Sequence, residues 1–179
     1  MVSATVSAES DVPADFASLM GQLDHPMYVV TVQGTDGPSG CLVGFASQVS
    51  IDPPLFLVGL SERNHTWRVS HEASHLAVHV IPRAKGELVH LFGEMTGDRV
   101  DKFAACSWRK GPHGAPILED ASVWFVGEIA TRVKLGDHVG HVLLASSADA
   151  RVALIVGAMW PLLLATGYRM LRTSSRTRT

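Results

Sequence analysis

His71-Glu72-Ala73-Ser74-His75 spells HExxH. On a helix that spacing sets two imidazoles over one zinc ion, with the glutamate as base for metal-assisted hydrolysis. His79 adds a third imidazole four residues on. The residues after His75, however, read Leu-Ala-Val-His-Val-Ile and end at Pro82. They alternate as a strand does, which takes His75 and His79 off any helical face carrying His71. The longer HExxHxxGxxH form fails as well, since Val78 stands where glycine is required and Ile81 where the third histidine belongs. We read the stretch as a helix end running into a strand and assign no metal site.

Four other groups carry chemistry. Ser61-Glu62-Arg63-Asn64-His65-Thr66 follows an apolar run and leads into a predicted helix. Exposed N–H groups there favour an anion. Arg63 offers a charged fork, and Asn64 and Thr66 offer neutral donors. Helix capping by Ser61 or Asn64 explains the same residues, and the two readings are compatible. Asp137-His138 puts an imidazole that titrates near neutrality beside a carboxylate able to orient it; a turn aspartate with an exposed histidine is the plainer reading. Lys102 reads equally as an anion contact or as half of a solvated pair with Asp101, worth little. Gly44–Gln48 is a run of small residues (Phe45 apart) that lets backbone approach a ligand, or a tight turn before Pro53.

These residues need a scaffold, and the pattern supplies one. Phe16, Leu19, Met20 and Leu23 predict a short helix over Asp15–Leu23. Met27–Val32 reads as a strand, and Asp36-Gly37 as the hairpin turn to a second apolar run from Cys41. Gly44–Ser50 is small and polar between strands. Asp52-Pro53-Pro54 forces an extended approach to the buried strand Leu55–Leu60. A helix over Arg63–Glu72 and a strand over Leu76–Ile81 follow. Glu87–Phe103 has helical spacing broken near Gly97, and Gly111–Pro116 is a loop. Ser122–Leu135 is a long strand with Val123, Phe125, Gly127, Ile129 and Thr131 on one face. Gly136-Asp137 turns the chain into a last strand, His138–Ala145. Many strands, few helices and hairpin connections predict a mainly β fold closed as an antiparallel barrel. Neither GxGxxG nor GxxxxGK[ST] occurs.

Composition agrees. The 179 residues are 46% hydrophobic and 18% charged, with a net charge of −2, which suits one globular domain and not a nucleic-acid binder. Cys41 and Cys106 form no CxxC pair and are expected to be packed, reduced thiols in a cytoplasmic protein. Residues 1–13 read as a loose arm with no signal-peptide pattern, and residues 14–150 as the domain. Residues 151–179 are apolar, then basic. Pro161 and the flanking Gly157 and Gly167 suit terminal packing or an interface segment better than a bilayer anchor.

The stretch GCLVGFASQVSIDPPLFLVGLSERNHTWRV, then Asp101-Lys102-Phe103, then WRKGPHGAPILEDASVWF, then Gly136-Asp137-His138, resembles the flavin reductase-like, FMN-binding split-barrel family in order and spacing. The resemblance covers roughly Asp15–Ala145. It implies a closed barrel, usually a homodimer, with flavin near the dimer interface. It also implies reduction of FMN or FAD by NADH or NADPH, often in supply of a flavin-dependent monooxygenase. A flavin- or haem-binding module without turnover and a deazaflavin-dependent reductase are the alternatives. Under the resemblance, Gly44, Phe45, Ala46, Ser47 and Gln48 face the flavin ring, and Ser61, Arg63, Asn64, His65 and Thr66 its phosphate. Lys102 reaches the phosphate or ribityl side, Phe103 is a core residue or a stacking ring, and Asp137 and His138 serve the nicotinamide. Many members carry a Ser/Thr-rich loop where this chain has Leu42, Gly44, Phe45 and Ala46, which leaves the choice between FMN and FAD open.

Overall fold

A computed structural model describes residues 14–150. The readings of residues 1–13 and 151–179 fall outside the described residues. Among the described residues three α-helices form: α1 (Ala14–Gln22), α2 (His65–Ser70) and α3 (Gly86–Gly93). Nine strands of the described residues run in chain order: β1 (Tyr28–Gly34), β2 (Gly37–Val43), β3 (Ala46–Ser50), β4 (Leu55–Ser61), β5 (His75–Val80), β6 (Trp108–Lys110), β7 (Pro116–Leu118), β8 (Val123–Leu135) and β9 (His138–Ala150).

Seven strands join in one antiparallel sheet of order β2-β1-β5-β8-β9-β4-β3. The mainly β, antiparallel expectation holds. Closure is another matter: β2 and β3 are the edges, and no hydrogen-bonded ladder joins them among the described residues. The sheet nonetheless coils. Cys41 and Val43 of β2 share a core cluster with Val58 and Leu60 of β4, although four strands separate them in the order. That inner core also takes Val30, Val32, Leu76, Val78 and Leu143. Fully burying each such side chain stabilises by about 1.5–3 kcal/mol.

Alternation puts the neighbours of these residues outside, where other elements cover them. Val29 packs with Leu88, Leu91 and Phe92 of α3, and with Phe103. Ala77, Trp124 and Val126 pack under Ala115 and Ile117 at the β6–β7 hairpin. Strand β1 is therefore buried on both faces, which explains its unbroken apolar run.

Several boundaries differ from the sequence reading. The first hairpin turns at Thr35-Asp36, since Gly34 pairs with Gly37; the turn sits one residue earlier than expected. Residues 46–50 form the edge strand β3 against β4, because backbone pairing overrides their low strand propensity. Helix α3 stops at Gly93, and a turn on Thr96 follows; Arg99 N–H and Val100 N–H both donate to Thr96 O. The expected Gly111–Pro116 loop is the turn between β6 and β7. Strand β9 continues to Ala150 because its far end pairs with Val123–Val126. Phe125 and Ile129 pack on the inner core, as the alternation predicts.

Candidate functional site

The HExxH residues are dispersed by the helix-to-strand switch the alternation predicts. His71 caps the C-terminus of α2, and its ring meets Trp67 edge-on at 4.4 Å. His75 opens β5 and stacks on His113 at 3.9 Å. His79 is fully buried: Nδ1–H donates to Val29 O at 3.0 Å, and Nε2 accepts from Leu118 N–H at 3.2 Å. Burial pushes its pKa down to about 4. It is a neutral tie between β1, β5 and β7.

Five of the remaining candidates, Gly44, Phe45, Ser61, Asn64 and His138, come together at one place. β2, an edge strand, lies against β4 there without a ladder between them; β4 pairs with β9 over Leu55–Ser61 and with β3 only over Leu55–Val58. A notch of about 140 Å³ opens on this seam. Gly44 and Phe45 line it from the end of β2, Gly59 and Ser61 from β4, Asn64 from the turn before α2, and His138 from β9. The β4–β9 register sets Ser61 opposite His138, and Gly59 opposite Gly140. A Cβ on Gly59 would lie 3.2 Å from Phe45 Cβ and 3.3 Å from Phe45 O, so a larger residue there would crowd the Gly44–Ala46 turn where it settles on β4. Gly59 N–H donates to Phe45 O at 2.7 Å and pins that turn.

Gly136, at φ +62, closes the β8–β9 hairpin and delivers Asp137 and His138 to the seam. Asp137 Oδ1 accepts from His138 Nδ1 at 2.7 Å, and that bond holds the carboxyl below its usual range. His138 Nε2 has no partner among the described residues. The ring of Phe45 stands edge-on to His138 at 5.0 Å. Beyond Phe45 a second cleft of about 390 Å³, largely apolar, is lined by Ala46, Ser47, Leu57, Leu135 and Asp137.

The anion-type residues lie on the other flank. Ser61, Arg63, Asn64, His65 and Lys102 line a cleft of about 280 Å³ that shares Ser61 and Asn64 with the notch. The capping reading is realised: Asn64 Oδ1 accepts from Thr66 N–H at 2.9 Å. Arg63 is exposed. His65 Nδ1 faces Asp98 Oδ1 at 2.9 Å, and Arg68 donates to the same oxygen at 2.5 Å. These two partners pull the Asp98 carboxyl down to about 2. Asp98 escaped the sequence reading; Thr96-Gly97-Asp98 gave only a turn signal.

Other candidates sit apart. Thr66 turns inward to Ser39 Oγ at 3.1 Å. Gln48 stays on exposed β3, its amide donating to Ser50 O. Phe103 is core. The solvated Asp101–Lys102 pair is not formed: Asp101 caps the short turn at Lys102–Ala105, accepting from Phe103 N–H and Ala104 N–H. Lys102 is 5% exposed and donates from Nζ to Gly40 O and Phe92 O beneath the cleft. Cys41 lies in the core under the notch, and burial pushes its thiol up to about 11, which makes it a poor nucleophile. A larger cleft, about 700 Å³ between the β1–β2 hairpin tip and α2, holds neither Asp137 nor His138.

Comparison with known proteins identifies the family. Residues 20–162 match the model of the flavin reductase like domain. The FMN reductase (NADH) RutF of Klebsiella pneumoniae (strain 342) is 36% identical over 129 residues, covering 70% of this chain and 77% of the relative. The stachydrine N-demethylase reductase subunit Stc3 of Rhizobium meliloti (strain 1021) is 32% identical over 114 residues, covering 62% of this chain and 48% of the relative. The chain thus spans about half the length of the first curated relatives it matches. Among solved structures, the Streptomyces globisporus C-1027 NADH:FAD oxidoreductase SgcE6 superposes with a TM-score of 0.71 at 25% identity, covering 80% of this chain and 87% of that one. With the domain match spanning most of the sequence, the chain belongs to the flavin reductase-like domain family.

Proposed function

We propose that the chain is a flavin reductase that takes electrons from NADH or NADPH, with the flavin ring seated on the β2–β4 seam. The observation that carries this reading is the convergence of Gly44, Phe45, Ser61, Asn64 and His138 on one notch beside the edge strand β2, with glycine at position 59 letting the Phe45 backbone approach closely. That setting fits a flat ring needing close backbone and hydrogen-bond donors. A bound flavin supplies a two-electron acceptor for the nicotinamide hydride.

The chain's residues do the rest. Ser61 and Asn64 orient the ring's polar edge, and exposed Arg63 offers charge to the phosphate. Asp137 fixes the His138 ring through Nδ1, which leaves Nε2 to orient the nicotinamide or deliver a proton. Leu57 and Leu135 exclude water from the same side. The coiled sheet is closed into a barrel by the approach of β2 to β4. Phe45 and Leu135, which line the cleft, and Val49, Ile51 and Leu144 expose apolar side chains, which supports a homodimer covering them. The name of the Stc3 relative, a reductase subunit, supports supply of reduced flavin to a partner oxygenase.

The test is anaerobic NADH or NADPH oxidation by the purified full chain, with FMN or FAD added. Flavin-dependent consumption is expected, and no consumption with either flavin refutes the reading.

A further inference from the structure

The notch and the apolar cleft meet at one side chain. Both are bounded by Phe45, Gly59 and His138, with volumes of about 140 Å³ and 390 Å³. Pockets for drug-sized ligands run from roughly 300 to 1,000 Å³. The notch alone is too small for a three-ring system. Phe45 borders both spaces, and their two volumes together fall within that range.

The side chain is placed to turn. Its backbone is pinned by the bond from Gly59 N–H to Phe45 O, at 2.7 Å. Its ring is held far less: the residue is 67% exposed, and the aromatic partner of the ring is His138, met edge-on at 5.0 Å. Rotation about the side-chain bonds breaks that pair and little other packing. In its present position the ring covers the edge of His138, so it also stands where a co-substrate must reach that imidazole.

We propose that Phe45 is the gate residue of this site: its ring swings off His138 to admit the flavin ring, and so sets how fast flavin enters and leaves. The proposal rests on the reading of the notch as the flavin site. It makes Phe45 a positioning residue, whose effect is on exchange more than on affinity. A gate slows association and dissociation together. A stacking contact would slow dissociation alone.

Stopped-flow quenching of FMN fluorescence with the full chain separates these cases. For Phe45→Ala the association and dissociation rates both rise about 2- to 12-fold, the range set by losing one edge-to-face aromatic pair. Kd stays within about 3-fold, since both rates move together. The urea midpoint is unchanged, because an exposed ring contributes little to the core. Phe45→Trp restores slow exchange in both directions. An unchanged association rate in Phe45→Ala overturns the gate, whether or not dissociation speeds up. Failure of the unsubstituted chain to bind FMN overturns the site reading and the gate with it, whereas FMN binding with unaltered rates overturns the gate alone.

Discussion

His79 makes this protein acid-sensitive in a defined pH window. Its ring is fully buried and satisfied on both nitrogens in the neutral form: Nδ1–H on Val29 O, Nε2 accepting from Leu118 N–H. A second proton would remove the acceptor that Leu118 uses, and would charge a group without solvent. Burial accordingly lowers the pKa from 6.5 to about 4. The unfolded chain takes up its proton as pH falls through 6.5, while the folded chain resists until about 4. The His79 contribution is therefore intact above pH 6.5 and is lost as pH falls through that window; the loss stops growing once the folded state protonates. Each pH unit in the window costs about 1.4 kcal/mol, so the full loss is about 3 kcal/mol. Carboxylates titrate in the same range, so the assay needs an internal reference. Glutamine at position 79 can donate to Val29 O and accept from Leu118 N–H without titrating. Urea unfolding of wild type and His79→Gln, followed by tryptophan fluorescence from pH 7.5 to 4.5, gives the difference directly. Wild type is expected to lose about 2–3 kcal/mol more than the variant over that range. A difference independent of pH would refute the neutral, doubly bonded assignment.

Other predictions follow from the seam and its surroundings. Gly59→Ala sets a Cβ 3.2 Å from Phe45 Cβ and 3.3 Å from its carbonyl, so it crowds the Gly44–Ala46 turn; FMN titration is expected to show binding weaker by about 5- to 150-fold, from roughly 1–3 kcal/mol of overpacking. Asp137→Asn keeps the shape of the β8–β9 turn and an oxygen acceptor for His138 Nδ1 but removes the charge that strengthens the bond, and His138→Ala removes the imidazole. Steady-state kinetics should show kcat falling by about 10²-fold or more in His138→Ala and by less in Asp137→Asn, with flavin Kd altered less than kcat in both. Lys102→Met leaves Gly40 O and Phe92 O without their donor, and urea unfolding should report a loss of about 1–3 kcal/mol. Arg63→Ala should weaken FMN more than riboflavin in fluorescence titrations; equal weakening would remove Arg63 from phosphate recognition.

Strand alternation and punctuation are local, and they carried far in this sequence. The runs at Met27–Val32, Leu55–Leu60 and Leu76–Ile81 became β1, β4 and β5, because apolar residues at strand spacing have few other places to go. The same patterning dissolved HExxH, since a strand beginning at His75 cannot hold its histidines over one ion with His71. Gly136-Asp137 announced the turn that delivers His138. Pairing was not legible. Which strand lies beside which depends on contacts between residues far apart in the chain, so the sequence could not say that β4 runs between β9 and β3. Nor could it say that Ala46–Ser50 would be a strand, or that Asp98 would face His65 from a loop 33 residues away. Lys102 shows the limit most clearly. Its type suggested an anion or a solvated partner, whereas its place beneath β2 turns Nζ onto two carbonyls. Residue type and spacing determined which groups carry chemistry. The coiling that brings β2 against β4 decided which of them share a site, because only tertiary packing sets the distances between strands distant in sequence.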